Sequence, residues 1–269
     1  VSALMTDCVI TNVIRSNNAW SGKSMMSVVG GTVQRTKFIN NSIGTASTLE
    51  LSNSSTRGRI ANCLFADCKY YGNLITGSGD IVDTTIRNCQ TINSGTASLM
   101  SVGGGMIINR CIITNNVTAA NALLLMPVWS NVGTIKNTLI AKNSAKHYIV
   151  ECGDTDGYSK LTNVTFADNV APTGVLTARN NGNYNGKLTA INCLFYGNSA
   201  KDIHCTSKVY TIANCNFAEK DDLNGTGNIY VDPCFKERGE HPYALKGRSP
   251  CIDSGQTADW LQTDVDIQG

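Results

Sequence analysis

The feature that most constrains the fold of this chain is an internal repeat with a period of about 26 residues. The segment Asn62–Phe65 recurs unchanged at Asn192–Phe195 and with one change at Asn214–Phe217. Looser copies fill the rest of the chain and give each unit one anchor residue in the position of Cys63: Cys8, Thr36, Cys63, Thr84, Cys111, Thr138, Val164, Cys193 and Cys215. Such a repeat predicts that each unit is one turn that stacks on its neighbours.

Two further columns of the repeat are apolar. The residue two positions after each anchor is always Ile or Phe: Ile10, Phe38, Phe65, Ile86, Ile113, Ile140, Phe166, Phe195 and Phe217. The residue three positions before each anchor is also apolar: Met5, Val33, Ile60, Ile81, Ile108, Ile135, Leu161, Ala190 and Ile212. These positions alternate with polar ones, as they do in β-strands. A second strand signal follows in each unit, for example at Asn73–Thr76 and Gly174–Ala178.

Competing repeat architectures fit this pattern less well. Leucine-rich repeats need Leu in the key columns, and propeller blades need roughly 40 residues or more. The repeat therefore predicts an all-β fold, a right-handed parallel β-helix (solenoid) of about nine coils over residues 1–220. The hand follows from the general rule for parallel crossovers. Residues 221–269 are expected to form a C-terminal capping segment that is not an independent domain.

A fourth column lies five residues after each anchor and is rich in Asn. Its members are Val13, Asn41, Cys68, Cys89, Asn116, Asn143, Asn169 and Asn198. At the end of a strand, an Asn side chain bonds the backbone of a turn and the Asn of a neighbouring coil. We therefore interpret this column as a ladder that stabilises the turns.

Composition excludes several classes of protein. The net charge is only +2, which gives no electrostatic basis for binding nucleic acid or an anionic membrane. No apolar run reaches the roughly 18 residues of a spanning helix. The chain opens at Val1 with neither an initiator Met nor a signal peptide, so we expect a processed form or a fragment of a longer protein.

The repeat unit Asn192–Asn198 resembles those of bacterial right-handed β-helix proteins of the pectin-lyase-like superfamily, and its F-x-x-N element resembles repeats of adhesins and autotransporter passengers. The C-terminal part is similar to the block DPxF…YxL…SPxIDxG…DxD of secreted proteins of the Bacteroidetes type. The segments that match this block are Asp232–Phe235, Tyr243–Leu245, Ser249–Gly255 and Asp264–Asp266. The resemblance implies a bacterial protein that is extracellular or on the cell surface. It does not single out one activity, because this superfamily includes lyases, hydrolases, epimerases and adhesins.

Of the eleven cysteines, seven lie in the stacked columns and two, Cys234 and Cys251, lie in the C-terminal block. Cys152 and Cys205 lie on second strands of coils two apart, where direct pairing is not expected. Those in the stacked columns are expected to act mainly as small core residues, because ladder geometry points their side chains the same way. Cys234 and Cys251 instead occupy variable positions of the DPxF and SPxID elements. Two cysteines in paired capping segments predict one disulfide, of the kind that forms in an oxidising compartment. No zinc-type spacing occurs, and no metal site is expected.

Candidate site residues gather on coils six to eight. The expected substrate-binding residues are Tyr148, Asp154, Asp156, Arg179, Tyr184 and His204. Aromatic and charged side chains on one face suit a sugar, whose apolar face packs on an aromatic ring. The alternative interpretation is a set of unconnected loop residues on a solvated surface.

No catalytic residue can be assigned, because the N-T-D, D-D, G-H-G and R-I-K set typical of the related hydrolases is absent. We expect a secreted or cell-surface protein that binds a polysaccharide or surface glycan, or that acts as an adhesin-like module. One alternative is a lyase or hydrolase of an acidic polysaccharide, and another is a structural spacer within a longer surface protein. No cofactor is expected, except calcium for a lyase. The protein is expected to be a monomer or part of a longer chain.

Overall fold

The computed structural model describes residues 3–15, 24–44, 47–51, 57–92, 97–126, 132–152, 158–178, 187–205, 210–219 and 225–257. In these residues every ladder between coils is parallel, and no helix occurs. The predicted parallel β-solenoid is therefore confirmed. No helix of the described part is long and apolar enough to span a membrane.

Four columns of strands run along the solenoid, and columns 1 and 2 share one 16-stranded sheet. Column 1 contains Leu4–Thr6, Thr32–Gln34, Gly58–Ala61, Gly79–Val82, Ile107–Asn109, Lys187–Ile191, Tyr210–Ala213 and Gly225–Thr226. Column 2 contains Val9–Thr11, Lys37–Ile39, Leu64–Ala66, Thr85–Arg87, Ile112–Thr114 and Leu194–Tyr196. The longer strands Val132–Ala141 and Tyr158–Ala167 pass through both columns and join them.

The other two columns form separate sheets. Column 3 is short, with Ile14–Arg15, Ser42–Ile43, Lys69–Tyr70 and Gln90–Thr91. Column 4 contains Met26–Val28, Ser47–Leu51, Asn73–Gly77, Met100–Val102, Ala122–Met126, Tyr148–Cys152 and Gly174–Ala178. The seven strands of column 4 therefore stack through about six turns beside the large sheet. Column 1 continues beyond the last strand of column 4, to Gly225–Thr226.

The register agrees with the repeat read from the sequence. Phe38 pairs with Phe65, Phe65 with Ile86, and Phe166 with Phe195. From Phe38 onwards the Ile/Phe column is buried, and its aromatic rings stack at centroid distances of 4.5–5.0 Å. The predicted inward columns therefore form one continuous core along the solenoid.

The Asn residue that precedes the anchor in the motif N-C-x-F has a backbone role. At this first corner, between columns 1 and 2, every residue has a positive φ of 45–56°: Asp7, Arg35, Asn62, Asp83, Arg110, Asn137, Asn163, Asn192 and Asn214. A second corner, four residues after the anchor, shares this conformation at Asn12, Asn40, Asp67, Asn88, Asn115, Lys142, Asp168 and Gly197. Asn and Asp adopt left-handed backbone more readily than most residues, which explains their frequency at both corners.

The Asn ladder predicted five residues after the anchor is confirmed. Asn143 accepts from the backbone N–H of Asn116 at 3.0 Å and donates to the carbonyl of Ile113 at 2.8 Å. Asn116 and Asn169 repeat these two contacts on neighbouring coils. Each side chain thus satisfies one buried donor and one buried acceptor of the turn.

Candidate functional site

The structure brings together two of the predicted substrate-binding residues, Tyr148 and His204. Both are half-buried, and their rings lie face to face with centroids 6.1 Å apart and an interplanar angle of 30°. The position between them on the intervening coil is Gly174, which pairs with Tyr148. A Cβ atom on Gly174 would lie only 2.9 Å from the Cβ of His204, so the absence of a side chain there makes this ring contact possible.

Two further residues extend this aromatic pair. The ring of His147 is tilted by 45° against Tyr148, and its Nδ1 lies 3.1 Å from the Thr173 hydroxyl. The result is a small patch of three rings. The other predicted site residues, Asp154, Asp156, Arg179 and Tyr184, lie outside the described residues. Their predicted place on this face stays a prediction.

A concave site lies elsewhere, beneath what we call the C-terminal hairpin, residues 234–246. This hairpin folds back across the outer face of column 2, and its arms are joined by a bridge between Phe235 and Leu245. Backbone bonds from Lys236 to Ala244 and from Lys246 to Cys234, both 2.9 Å, hold the arms together. Between hairpin and solenoid lies a groove of about 620 Å³, within the usual size range of small-ligand sites.

An apolar cluster attaches the hairpin to the solenoid. Phe235 packs edge-on against Tyr196 at 6.1 Å and against Tyr243 at 5.4 Å. The same cluster contains Leu139, Ala141 and Ala167, and Ile112, Leu194 and Leu245 pack against it. Column 2 is therefore covered by apolar contacts here, whereas Val9 on its first strand is 62% exposed.

The floor of the groove is formed by outward side chains of three successive coils. Ile112 pairs with Leu139, and Leu139 pairs with Thr165. Equivalent atoms of adjacent parallel strands lie about 4.8 Å apart, so the floor repeats at that spacing.

The two corners supply the walls of the groove. At the first corner Asn163 donates to Asn137, and Asn137 donates to Asn109, each at 3.1 Å. At the second corner the wall is made by Asn115 and Lys142. Amide groups are both donors and acceptors, so these walls suit a ligand with many hydroxyl groups.

The hairpin closes the groove with polar side chains: Lys236, Glu240, His241 and Tyr243. The Tyr243 hydroxyl donates to Asp168 at 2.7 Å, and the Lys142 ammonium lies 6.0 Å from the centre of the Tyr243 ring. Burial and the Asp168 carboxylate raise the pKa of Tyr243 above its usual value. Tyr243 therefore stays protonated at neutral pH and serves as a neutral donor.

Among the residues described as lining the groove, Glu240 is the single carboxylate. Asp168 lies beside the groove and accepts from Tyr243. A lyase or hydrolase would need a set of carboxylates and a base that meet in one cleft. The described residues also contain no group of three His, Cys, Asp or Glu side chains that could hold a metal ion.

Sequence reasoning missed the groove. The signal was present in two parts, the Asn residues at both corners and the Tyr243–Leu245 element of the C-terminal block. Nothing in the spacing indicates which coils the C-terminal block packs against, since Tyr243 and Asp168 are 75 residues apart. Without that contact, the corner residues are indistinguishable from those of other coils.

Comparison with solved structures finds QnrB1, a plasmid-mediated fluoroquinolone resistance protein. The full-length structure is 12% identical, covers 86% of this chain and 94% of its own, and has a TM-score of 0.30. Two structures of trypsin-treated QnrB1 variants are 13% and 12% identical, covering 84% and 85% of this chain and 91% of their own, with TM-scores of 0.30 and 0.21. These neighbours are not pectin-lyase-like proteins, and likenesses this low carry no information on what this chain binds. No family model and no curated protein matches the chain.

Proposed function

We propose that this protein is a secreted or cell-surface β-solenoid that binds a glycan in the groove beneath the C-terminal hairpin. The observation that carries the proposal is the combination of a mainly aliphatic floor with two amide-bearing walls in one 620 Å³ groove. Sugar rings have an apolar face and a rim of hydroxyl groups, and this combination matches both. Membership of the pectin-lyase-like superfamily is part of the same proposal and depends on the sequence motifs.

The geometry favours a linear glycan over a single sugar. The floor residues Ile112, Leu139 and Thr165 follow one another at a repeat of about 4.8 Å along the solenoid axis. The corner amides follow the same repeat, since Asn137 and Asn163 occupy equivalent positions on adjacent coils. A polymer of similar units can make the same contacts on each successive coil.

The aromatic patch formed by Tyr148 and His204 is a secondary contact in this proposal. Both rings are half-buried and lie face to face. The patch is not continuous with the groove in the described residues, so binding at the groove does not depend on it.

The corner backbone allows a clean test of the groove. Gly accepts a positive φ without strain, so Asn115→Gly combined with Asn163→Gly removes two wall amides and keeps the turns. The matched control combines Asn88→Gly with Asn62→Gly, which are the equivalent corner positions on coils outside the groove. Binding is measured on an array of neutral and acidic polysaccharides and then by calorimetry with each glycan retained.

The groove variant is expected to bind roughly tenfold or more weakly, because each lost amide leaves sugar hydroxyls without partners. The control is expected to bind like the parent chain. Equal losses in both variants would place the glycan elsewhere, and absence of binding across the array would contradict the proposed function. New reducing ends or an absorbance rise from unsaturated products would show a hydrolase or a lyase instead.

A further inference from the structure

The C-terminal hairpin has a pair of cysteines at its base. Cys234 is the first residue of the hairpin, and its carbonyl accepts a hydrogen bond from the backbone N–H of Lys246 at 2.9 Å. The chain then turns through a bond from Ser249 N–H to the Lys246 carbonyl at 2.8 Å. Cys251 follows directly, and its N–H is bonded to the Ser249 hydroxyl at 3.1 Å. A short turn therefore separates Cys251 from Lys246, the residue whose N–H bonds to Cys234.

The surroundings of Cys251 include the charges of two residues at the start of the hairpin. Burial raises the pKa of the Cys251 thiol, and the charges of Cys234 and Asp232 raise it further. A hydrogen bond with Ser249 lowers this pKa, but by less. Both thiols are half-buried and free in this structure. They differ in this respect from the fully buried thiols of the core, such as Cys111 and Cys193.

We propose that Cys234 and Cys251 are a modification site that forms an intramolecular disulfide across the base of the C-terminal hairpin. The oxidant is a small-molecule disulfide such as oxidised glutathione. One thiolate attacks the oxidant to give a mixed disulfide and releases one reduced thiol. The second cysteine then displaces the other reduced thiol. Overall the protein loses two protons and two electrons, and the oxidant is reduced to two thiols.

This bond would enclose the residues that the hairpin contributes to the groove. Lys236, Glu240, His241 and Tyr243 all lie between the two cysteines. In the reduced chain, the base of the hairpin is held by backbone hydrogen bonds, from Lys246 to Cys234 and from Ser249 to Lys246. A covalent link there limits opening of the hairpin and fixes the groove wall. The disulfide itself does not depend on the proposed function; its effect on glycan binding does.

The test is performed on the full chain without any glycan. The protein is incubated with oxidised glutathione, free thiols are blocked, and tryptic peptides are mapped without reduction. Lys236, Arg238, Lys246 and Arg248 separate the two cysteines, so a bond joins two different peptides with a loss of two hydrogens. In parallel, hydrogen exchange is followed at the amides of Lys236 and Lys246.

We expect a peptide pair that contains Cys234 and Cys251, and slowing of hairpin exchange by roughly tenfold or more on oxidation. Cys234→Ser combined with Cys251→Ser is expected to lose both effects. Cys205→Ser, which removes a half-buried thiol of the solenoid, is expected to retain both. Free thiols after oxidation, glutathione on each cysteine separately, or pairing with other cysteines would each overturn the proposal.

Discussion

Two stretches of the inner ladder solve the same structural problem with different residues. From Asn116 to Asn198 the position five residues after the anchor is Asn on every coil, and each amide bonds backbone groups at 2.8–3.1 Å. On the two preceding coils the position is Cys68 and Cys89, whose thiols donate to backbone carbonyls at the longer distance of 3.4–3.5 Å. A thiol is a weak donor, so the cysteine stretch depends more on packing and the asparagine stretch more on hydrogen bonds.

The protonation behaviour of the cysteine pair fits its place in the core. The hydrogen bond with Cys68, together with burial, holds the pKa of Cys89 well above its usual range. Cys89 is therefore a neutral thiol at physiological pH and behaves as a small apolar residue. The same column thus contains a thiol on two successive coils and an amide on the next four.

The largest effect is expected where the two stretches are alike. Phe65 and Phe195 are both fully buried and both stack on a ring of a neighbouring coil. Phe65→Ala and Phe195→Ala should each lower the free energy of unfolding by about 3–5 kcal/mol, because each opens a cavity in the core. Urea unfolding followed by circular dichroism measures this. A loss below about 1 kcal/mol in either variant would contradict the assignment of that ring to the core.

The next effect distinguishes the stretches. Asn143→Ala removes the acceptor for the Asn116 N–H and the donor to the Ile113 carbonyl, both buried. Each unpaired buried group of this kind costs at least about 1 kcal/mol, so we expect a loss of at least about 2 kcal/mol. Hydrogen exchange at the Asn116 amide should also become faster. If that amide keeps its protection, the bond to Asn143 is not what protects it.

The matching change in the cysteine stretch should be milder. Cys89→Ala removes one sulfur atom from the core, together with its weak bonds to the Arg87 carbonyl and to Cys68, for an expected loss of about 1 kcal/mol. The same urea experiment gives the comparison directly. A loss as large as that of Asn143→Ala would mean that the thiol has a bonding role equal to that of the amide.

The inner ladders were predictable from the sequence because they depend on one spacing repeated along the chain. The spacing places Phe65 and Phe195 in one column, and the register of the intervening strands confirms it. The corner role of Asn62 was not predicted, because an Asn before a strand is equally typical of an ordinary polar turn. The positive φ of Asn62 distinguishes the corner from an ordinary turn, and the residue type alone does not.

The candidate site was less predictable, because its contacts do not follow from the repeat spacing. Tyr148 and His204 meet across Gly174, so a residue with no side chain decides the contact. The groove depends on Tyr243 and Phe235 packing on coils far away in sequence. A repeat fixes which coil follows which, but it contains no information on where a non-repeating segment folds back.

The smallest effect is expected on the surface, where stacked side chains are solvated. Arg35 bonds the Asp7 carboxylate of the preceding coil at 2.7 and 2.8 Å, at the first corner. The hydrogen bond from Arg35, with one from Thr6, lowers the pKa of Asp7 to about 2. The folded value is below the unfolded one, so the pair favours the folded chain at pH above the unfolded pKa. That contribution is lost as the pH falls through the folded pKa. Solvent screening keeps it small because both side chains are more than half exposed.

Carboxyl chemical shifts measured by NMR during an acid titration test this pair. Arg35→Gln should move the pKa of Asp7 back toward 3.8, its ordinary value. Arg59→Gln, an exposed position of column 1 on the next coil, should leave it unchanged. A pKa for Asp7 that is already ordinary in the parent chain would show that the stacked corner pair is not formed in solution. Stabilising contacts between polar side chains of adjacent coils would then be confined to the interior, where Asn143 and its neighbours are shielded from water.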